Sequence, residues 1–184
     1  MVQTDPHIHD LLIEGCKQGN RKAQFSIYKL YSRAMFNVAY RIMNNREEAE
    51  DMLQEAFTEC FRNINTFRAT STFGAWLKTI VINKCINRLR KREAELVLVD
   101  DFKGLERADE EQQVQVWPDP ATISKAVEKL PDGYRVIFSL YLLEGYDHTE
   151  ISQIMNISES TSKTQYLRAK EKLKKILLTM QRDG

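Results

Sequence analysis

The sequence predicts an all-α protein: two small helical domains, a four-helix bundle and a helix-turn-helix domain, joined by a flexible acidic linker. Three observations predict it. Apolar residues recur at spacings of three and four along most of the chain, and strand-like alternation is nearly absent. Only 7 Gly and 4 Pro punctuate 184 residues, which suits long helices with few breaks. Charge is segregated. Lys and Arg against Asp and Glu stand at 1 to 3 over residues 1–20, 14 to 6 over 21–92, 2 to 9 over 93–120 and 10 to 8 over 121–184. The net charge of +1 thus conceals a basic block, an acidic block and a nearly neutral block, a pattern of separate functional segments. The expected domains are residues 1–92 and 120–184, with the linker at 93–119.

Each element has a local reason. A short helix is expected over His9 to Lys17, ending at Gly19. The next runs from Arg21 to Met43, with Phe25, Tyr28, Leu30, Tyr31, Phe36 and Tyr40 as a broad apolar face, and Asn44-Asn45 breaks it. Asn45 with Glu48 forms an N-cap pair for a helix from 46 to about 65. Its apolar stripe is Ala49, Leu53, Ala56, Phe57, Cys60, Phe61 and Ile64, which leaves Asp51, Gln54, Glu55 and Thr58 largely off the buried side. After the polar loop FRATST, a helix spans Phe73 to Arg92, completing a four-helix bundle. Residues 93–119, acidic with a QQVQ tract, cannot bury much. Pro120 at a first helical position opens the second domain. There helices are expected over 121–129 and 132–143, then from Asp147 or Thr149 through Met155, and from Ser158 to about Met180.

Composition excludes several classes. At 42% hydrophobic and 29% charged, with a mean hydropathy of −0.47, the chain reads as a soluble globular protein. No apolar window is long enough for a membrane span, and the N-terminus lacks a basic leader and an apolar core, so a cytoplasmic location is expected. Cys16, Cys60 and Cys85 are odd in number, widely spaced and without a CxxC pair, which points to small buried hydrophobes and away from disulfides or structural zinc. His7, His9 and His148 form no ligand set, and the first two read as incidental residues of a disordered end. No Gly-rich phosphate loop or nucleophile elbow is present, so neither an enzyme nor a cofactor or metal is expected.

Three stretches carry function. In DMLQEAFTECF (51–61), acidic groups one turn apart suit metal binding, acid–base chemistry or a protein contact, or simply a wet helix face. From Ala75 to Arg92 there are six cations and no acid, with Asn83, Lys84, Asn87 and Arg88 one turn apart on one face. Cations beside side-chain amides can follow a phosphate backbone and bond exposed base edges, and the preceding loop offers hydroxyl and backbone groups for an unstacked base. Finally, DHTEISQIMNISESTSKTQYLRAK (147–170) has the layout of a helix-turn-helix, with Ser162, Tyr166, Ala169, Leu173, Ile176 and Leu177 on one side and Lys163, Thr164, Leu167, Arg168 and Lys172 on the other. Alone, that pattern is evenly balanced between a groove-reading helix and two bundle helices with a solvated basic face.

Taken in order, these stretches resemble the extracytoplasmic-function sigma factors, a sigma-70-like family of small bacterial transcription initiation factors, over residues 9 to 178. The resemblance implies a promoter-specificity subunit of RNA polymerase, not an enzyme, with core polymerase (the β′ clamp helices and the β flap), promoter DNA and an anti-sigma factor as partners. It assigns Asp51, Gln54, Glu55 and Phe57 to clamp binding. Thr70, Ser71 and Thr72 would hold a flipped −10 base, and Lys78, Asn83, Lys84, Asn87 and Arg88 would contact the separated strand or spacer phosphates. Lys163, Thr164, Leu167 and Arg168 would face the −35 groove. Departures from the family pattern carry expectations too. Ser162 at a usual Val position weakens the local core, Gln165 in place of a frequent Arg removes a phosphate contact, and Gly74 alters the base pocket. The alternative is a stand-alone helix-turn-helix regulator, which would have little use for an acidic central tether.

Overall fold

The structure, a computed structural model, describes residues 6–92 and 119–182. The chain forms two compact units, Met1–Arg88 and Leu89–Gly184. The described residues are helical or in short connections, with no strand among them. Residues 93–118 of the expected linker lie outside the described residues.

In the first unit, α1 (Pro6–Lys17), α2 (Arg21–Met43), α3 (Arg46–Arg62) and the greater part of α4 (Phe73–Arg92, within this unit as far as Arg88) follow one another, with a 3₁₀ turn at Ile64–Thr66. The α1–α2 turn is tight. Asn20 Oδ1 accepts from the backbone N–H of Lys22 and Ala23, satisfying two otherwise unpaired donors at the start of α2. Gly15 permits the close approach of the pair, because a Cβ there would meet Ala23 Cβ at 2.8 Å. At the other end of α2, Asn44 takes the left-handed conformation at φ 53° and stops the helix. Asn45 then caps α3, its Oδ1 accepting from Glu48 N–H at 3.0 Å, as the sequence pattern indicates.

The core of this unit is more aliphatic than expected. On α2 the buried residues are Ala23, Ile27, Met35, Val38, Ala39, Ile42 and Met43. The expected aromatic face lies on the rim: Phe25 is 60% exposed, and Tyr28 and Leu30 are exposed as well. The reason is helical phase. Small and aliphatic residues at 23, 27, 35, 38, 39 and 42 keep to one stripe, and the aromatic positions are rotated off it. On α3 the stripe Ala49, Met52, Leu53, Ala56, Phe57 and Cys60 is buried, and on α4 it is Phe73, Leu77, Val81, Ile82, Cys85 and Ile86.

His9, expected to be incidental, is within α1, and its Nδ1 lies 2.9 Å from Tyr31 Oη. The side chain of His7 lies outside what is described.

The second unit contains α5 (Pro120–Glu128), α6 (Asp132–Phe138), α7 (His148–Met155) and α8 (Glu159–Arg182). Asp119 caps α5, its carboxylate accepting from the backbone N–H of Ala121 and Thr122, and the Thr122 hydroxyl, with those backbone donors, holds it below the usual carboxylate range. The expected continuous helix 132–143 instead changes to a π segment at Ser139–Leu143, closed by Glu144 N–H to Ser139 C=O at 3.0 Å. That extra residue in the turn keeps Leu140 buried while Tyr141, Leu142 and Leu143 face outward. Ala126, Val127, Leu130, Phe138, Ala169 and Leu173 form the core, with Tyr166, Ile176 and Leu177 packed at its edge.

All three cysteines are buried and free. Loss of solvation pushes the Cys60 and Cys85 thiols up to about 12 and also raises Cys16. Alkylation by iodoacetamide at mildly alkaline pH should therefore be negligible in the folded chain and rapid for all three in denaturant. Stoichiometric labelling of Cys60 or Cys85 without denaturant would contradict this packing.

Candidate nucleic-acid and docking surfaces

The first surface is the wet side of α3. Asp51, Gln54 and Glu55 are exposed, as their off-stripe positions require. Phe57 is not available with them. It is 3% exposed, with its ring 4.9 Å from Tyr28 and 5.9 Å from Phe61, so it supports the surface from below and is corrected here from a contact to a core residue. Glu50 is paired with Arg46 at 2.9 Å, one turn apart. Gln54 opens onto a groove of about 320 Å³ between α2 and α3, shared with Tyr28, Arg33, Phe36 and Leu53. The α2 residues were missed from sequence, although Tyr28, Ser32 and Phe36 recur every fourth position and mark one helix face.

The second surface is α4 with the loop that leads into it. Thr70, Ser71 and Thr72 are all exposed. Ala69 adopts φ 55°, turning the loop, and Thr72 caps α4 by accepting from Ala75 N–H at 3.2 Å. Both ends of the loop are held by aromatic rings. Phe67 lies 5.5 Å from Phe73 and 5.4 Å from Trp76, and Tyr31 packs 5.3 Å from Phe73. Gly74, expected to alter a base pocket, has a packing reason: a Cβ would meet Tyr31 Cε1 at 3.1 Å. Along α4, Asn83 and Asn87 are exposed on successive turns. The cations beside them are engaged within the unit: Lys84 Nζ lies 2.6 Å from Glu59 and Arg88 Nη2 lies 2.9 Å from Glu55. Lys78 is half-buried.

The third surface is the helix-turn-helix of the second unit. Asp147 and Glu150 form a reciprocal capping box on α7, which settles its start at Asp147. Asn156 makes the turn at φ 51°, and Ser158 Oγ caps α8 by accepting from Thr161 N–H at 3.0 Å. On α8, Lys163 and Thr164 are exposed, Leu167 is 55% exposed, and Arg168 is half-buried. Lys163 pairs with Glu159 at 2.6 Å, and that cation holds the Glu159 carboxyl below its ordinary range. Thr164 donates its hydroxyl to Ser160 C=O.

Two expectations about α8 change. Ser162 is fully buried, yet its hydroxyl is satisfied by His148 Nδ1 at 2.9 Å, and the His148 ring stacks on Tyr141 with centroids 4.5 Å apart. A small polar contact thus replaces the expected aliphatic one. Gln165 is also buried, at 5% exposure, so its position faces the core and is not where a phosphate contact would be gained or lost.

Among the described residues no cluster of His, Cys, Asp and Glu could hold a metal ion, and no helix is long and apolar enough to cross a membrane. What the three surfaces offer is charge-assisted hydrogen bonding: carboxylates and an amide on α3, amides and cations on α4, cations and a hydroxyl on α8.

Comparison with known proteins adds a chain-wide context. Residues 27–95 match the family model for Sigma-70 region 2, and residues 121–173 match that for Sigma-70, region 4. The ECF RNA polymerase sigma factor SigW of Bacillus subtilis is 33% identical over 176 residues, covering 90% of this chain and 94% of its own. The RNA polymerase sigma-H factor of Pseudomonas aeruginosa is 27% identical over 189 residues, covering 94% and 95%. Among solved structures, the sigma factor RpoE in complex with the anti-sigma factor NepR from Bartonella quintana superposes with a TM-score of 0.56 at 23% identity, over 83% of this chain and 94% of that one. CnrH in complex with the cytosolic domain of CnrY gives 0.55 at 20%, over 92% and 96%. These two share the fold.

The α8 geometry is testable by stability. Ser162→Ala should cost the full chain about 1 kcal/mol, since it leaves the half-buried His148 Nδ1 without its partner. The Glu159–Lys163 pair contributes stability above the ordinary carboxylate pKa, and that contribution is lost as pH falls through the lower folded value. Thermal melts should therefore separate wild type from Glu159→Gln at neutral pH and converge in acid. A gap that persists under acid conditions would mean the pair is not its source.

Proposed function

The chain belongs to the extracytoplasmic-function RNA polymerase sigma factors, and from that premise we propose how it performs its role. It is a promoter-specificity subunit of bacterial RNA polymerase. The proposed division of labour assigns residues 1–92 to core docking and the −10 element, 93–119 to a tether, and 120–184 to the −35 element. The observation that carries the reading is the pairing of an exposed acid–amide row on α3 with an amide–cation strip on α4, in a chain whose second unit presents a capped helix-turn-helix.

Asp51, Gln54 and Glu55 dock on the β′ clamp helices, where an amide flanked by carboxylates suits a cationic partner helix. Thr70, Ser71 and Thr72 then take up an unstacked −10 base, with Asn83, Asn87, Lys78, Lys84 and Arg88 following the strand. Capturing unpaired bases offsets the few kcal/mol that unstacking each one costs, so binding energy drives melting and no catalytic group is required. Lys163, Thr164, Leu167 and Arg168 enter the −35 major groove, where each good base-edge pair is worth about 1–3 kcal/mol of discrimination. The second unit also rests on the β flap. The protein acts in the cytoplasm. The complexes of RpoE with NepR and of CnrH with CnrY support an anti-sigma protein as a further partner of this chain.

Lys163→Ala or Arg168→Ala should lower transcription severalfold from −35-dependent promoters while core binding persists. If both variants initiate normally in reconstituted run-off assays, the groove assignment fails. Gln54→Ala combined with Glu55→Arg should abolish core binding by a chain that still folds, as a cooperative thermal melt would show. A gel shift with and without core polymerase separates this reading from a stand-alone regulator, which would retard duplex DNA alone.

A further inference from the structure

We propose that Glu55 is a carboxylate shared between two tasks. In the free chain it neutralises Arg88, and docking on core polymerase withdraws it and releases Arg88 for promoter phosphate. This rests on the reading of α3 as docking helix and α4 as strand-contacting helix, and it adds the coupling between them.

The coupling follows from two ion pairs. Arg88 lies 2.9 Å from Glu55, and Lys84 lies 2.6 Å from Glu59. The acids are one turn apart on α3 and the cations one turn apart on α4, met in opposite order, so the two helices run antiparallel with two charged rungs between them. Ala56 and Cys60 on α3 and Cys85 on α4 are fully buried, so each of these helices is seated in the core beside its charged residues. The rungs themselves are open to competition: side-chain exposure is 48% for Glu55 and 37% for Arg88. Two acids of α3, exposed Glu55 and half-buried Glu59, are thus committed to the cations that the same unit offers to DNA.

Magnitudes make this an exchangeable arrangement. A half-exposed pair changes an equilibrium constant by up to about fivefold. That suffices to depress the free chain's affinity for phosphate, and a partner cation on Glu55 can displace it. Because Glu55 cannot serve Arg88 and a polymerase cation at full strength, each binding event favours the other by the same factor. Glu59 lies outside the docking row, so the Lys84 rung persists and provides an internal comparison.

The test measures binding of the free full-length chain to a short single-stranded DNA of random sequence by fluorescence anisotropy, across a salt series. Glu55→Gln should tighten binding by about threefold to fivefold and steepen the salt dependence, and Glu55→Asp, which keeps the charge but shortens the reach, should fall between it and wild type. Glu47→Gln, an exposed acid on the same helix, controls for net charge and should change little. In an Arg88→Gln background the gain from Glu55→Gln should vanish. Equal gains from Glu55→Gln with and without Arg88, or gains no larger than from Glu47→Gln, would overturn the shared-carboxylate proposal while leaving the strand-contacting role of α4 intact. Arg88→Gln alone should weaken binding in the presence of saturating core polymerase. Unchanged binding there would overturn both the proposal and the role assigned to Arg88. Reciprocally, DNA should raise core affinity less for Arg88→Gln than for wild type, and an equal rise would count against the coupling.

Discussion

The first unit depends on the rotational setting of α3. Ala49, Ala56 and Cys60 are wholly buried small side chains, and they let α3 sit close against its neighbours with Met52, Leu53 and Phe57 filling the space between. Once that stripe is inward, Asp51, Gln54 and Glu55 have no choice but to face water, and Glu55 and Glu59 are brought beside α4. A rotation of α3 by one residue would bury carboxylates and expose Phe57. The cost of desolvating a charge makes that arrangement inaccessible. One packing constraint therefore creates the docking row and, at the same time, sets the charge environment of the strip on α4.

Charge in this protein is handled by local neutralisation. The cations assigned to nucleic acid do not wait bare in solution: Lys84, Arg88 and Lys163 each have a carboxylate within 2.9 Å. Such pairs are weak in water, and a polyanion that offers several phosphates at once can displace the carboxylates with the help of released counterions. The chain's near-zero net charge has the same logic at a larger scale, since a basic first unit is balanced by acid elsewhere in the sequence. On the proposed reading, attraction to DNA is held in reserve until the chain is in company with a much larger enzyme.

The second unit shows a different solution to the same problem of holding a surface in place. Its helix α8 is anchored partly by polar groups: Ser162 with His148, the His148 ring against Tyr141, and Tyr141 in turn 4.5 Å from Tyr166. A buried hydroxyl that finds its partner is nearly neutral energetically and adds directionality, so it sets the rotation of α8 against α7 more narrowly than an aliphatic contact would. The π turn at Ser139–Leu143 supplies the other half of this contact by carrying Tyr141 to the His148 ring.

Most helix positions and their caps were legible in the sequence alone, because they rest on neighbours a few residues apart: Asn45 with Glu48, Asp147 with Glu150, Pro120 at a first turn. The same local patterning placed Asp51, Gln54, Glu55, Asn83 and Asn87 on wet faces. What only the tertiary structure decided involves partners far apart in the chain. Gln165 proved to be inside, Phe57 on its buried stripe found Tyr28, His9 found Tyr31, Gly74 made room for the Tyr31 ring, and the acids of α3 met the cations of α4. Periodicity gives the angle of a side chain around its own helix, and it carries no information about which other helix stands opposite. That second fact, set by how the stripes interlock, placed two separately legible motifs side by side as ion-paired neighbours.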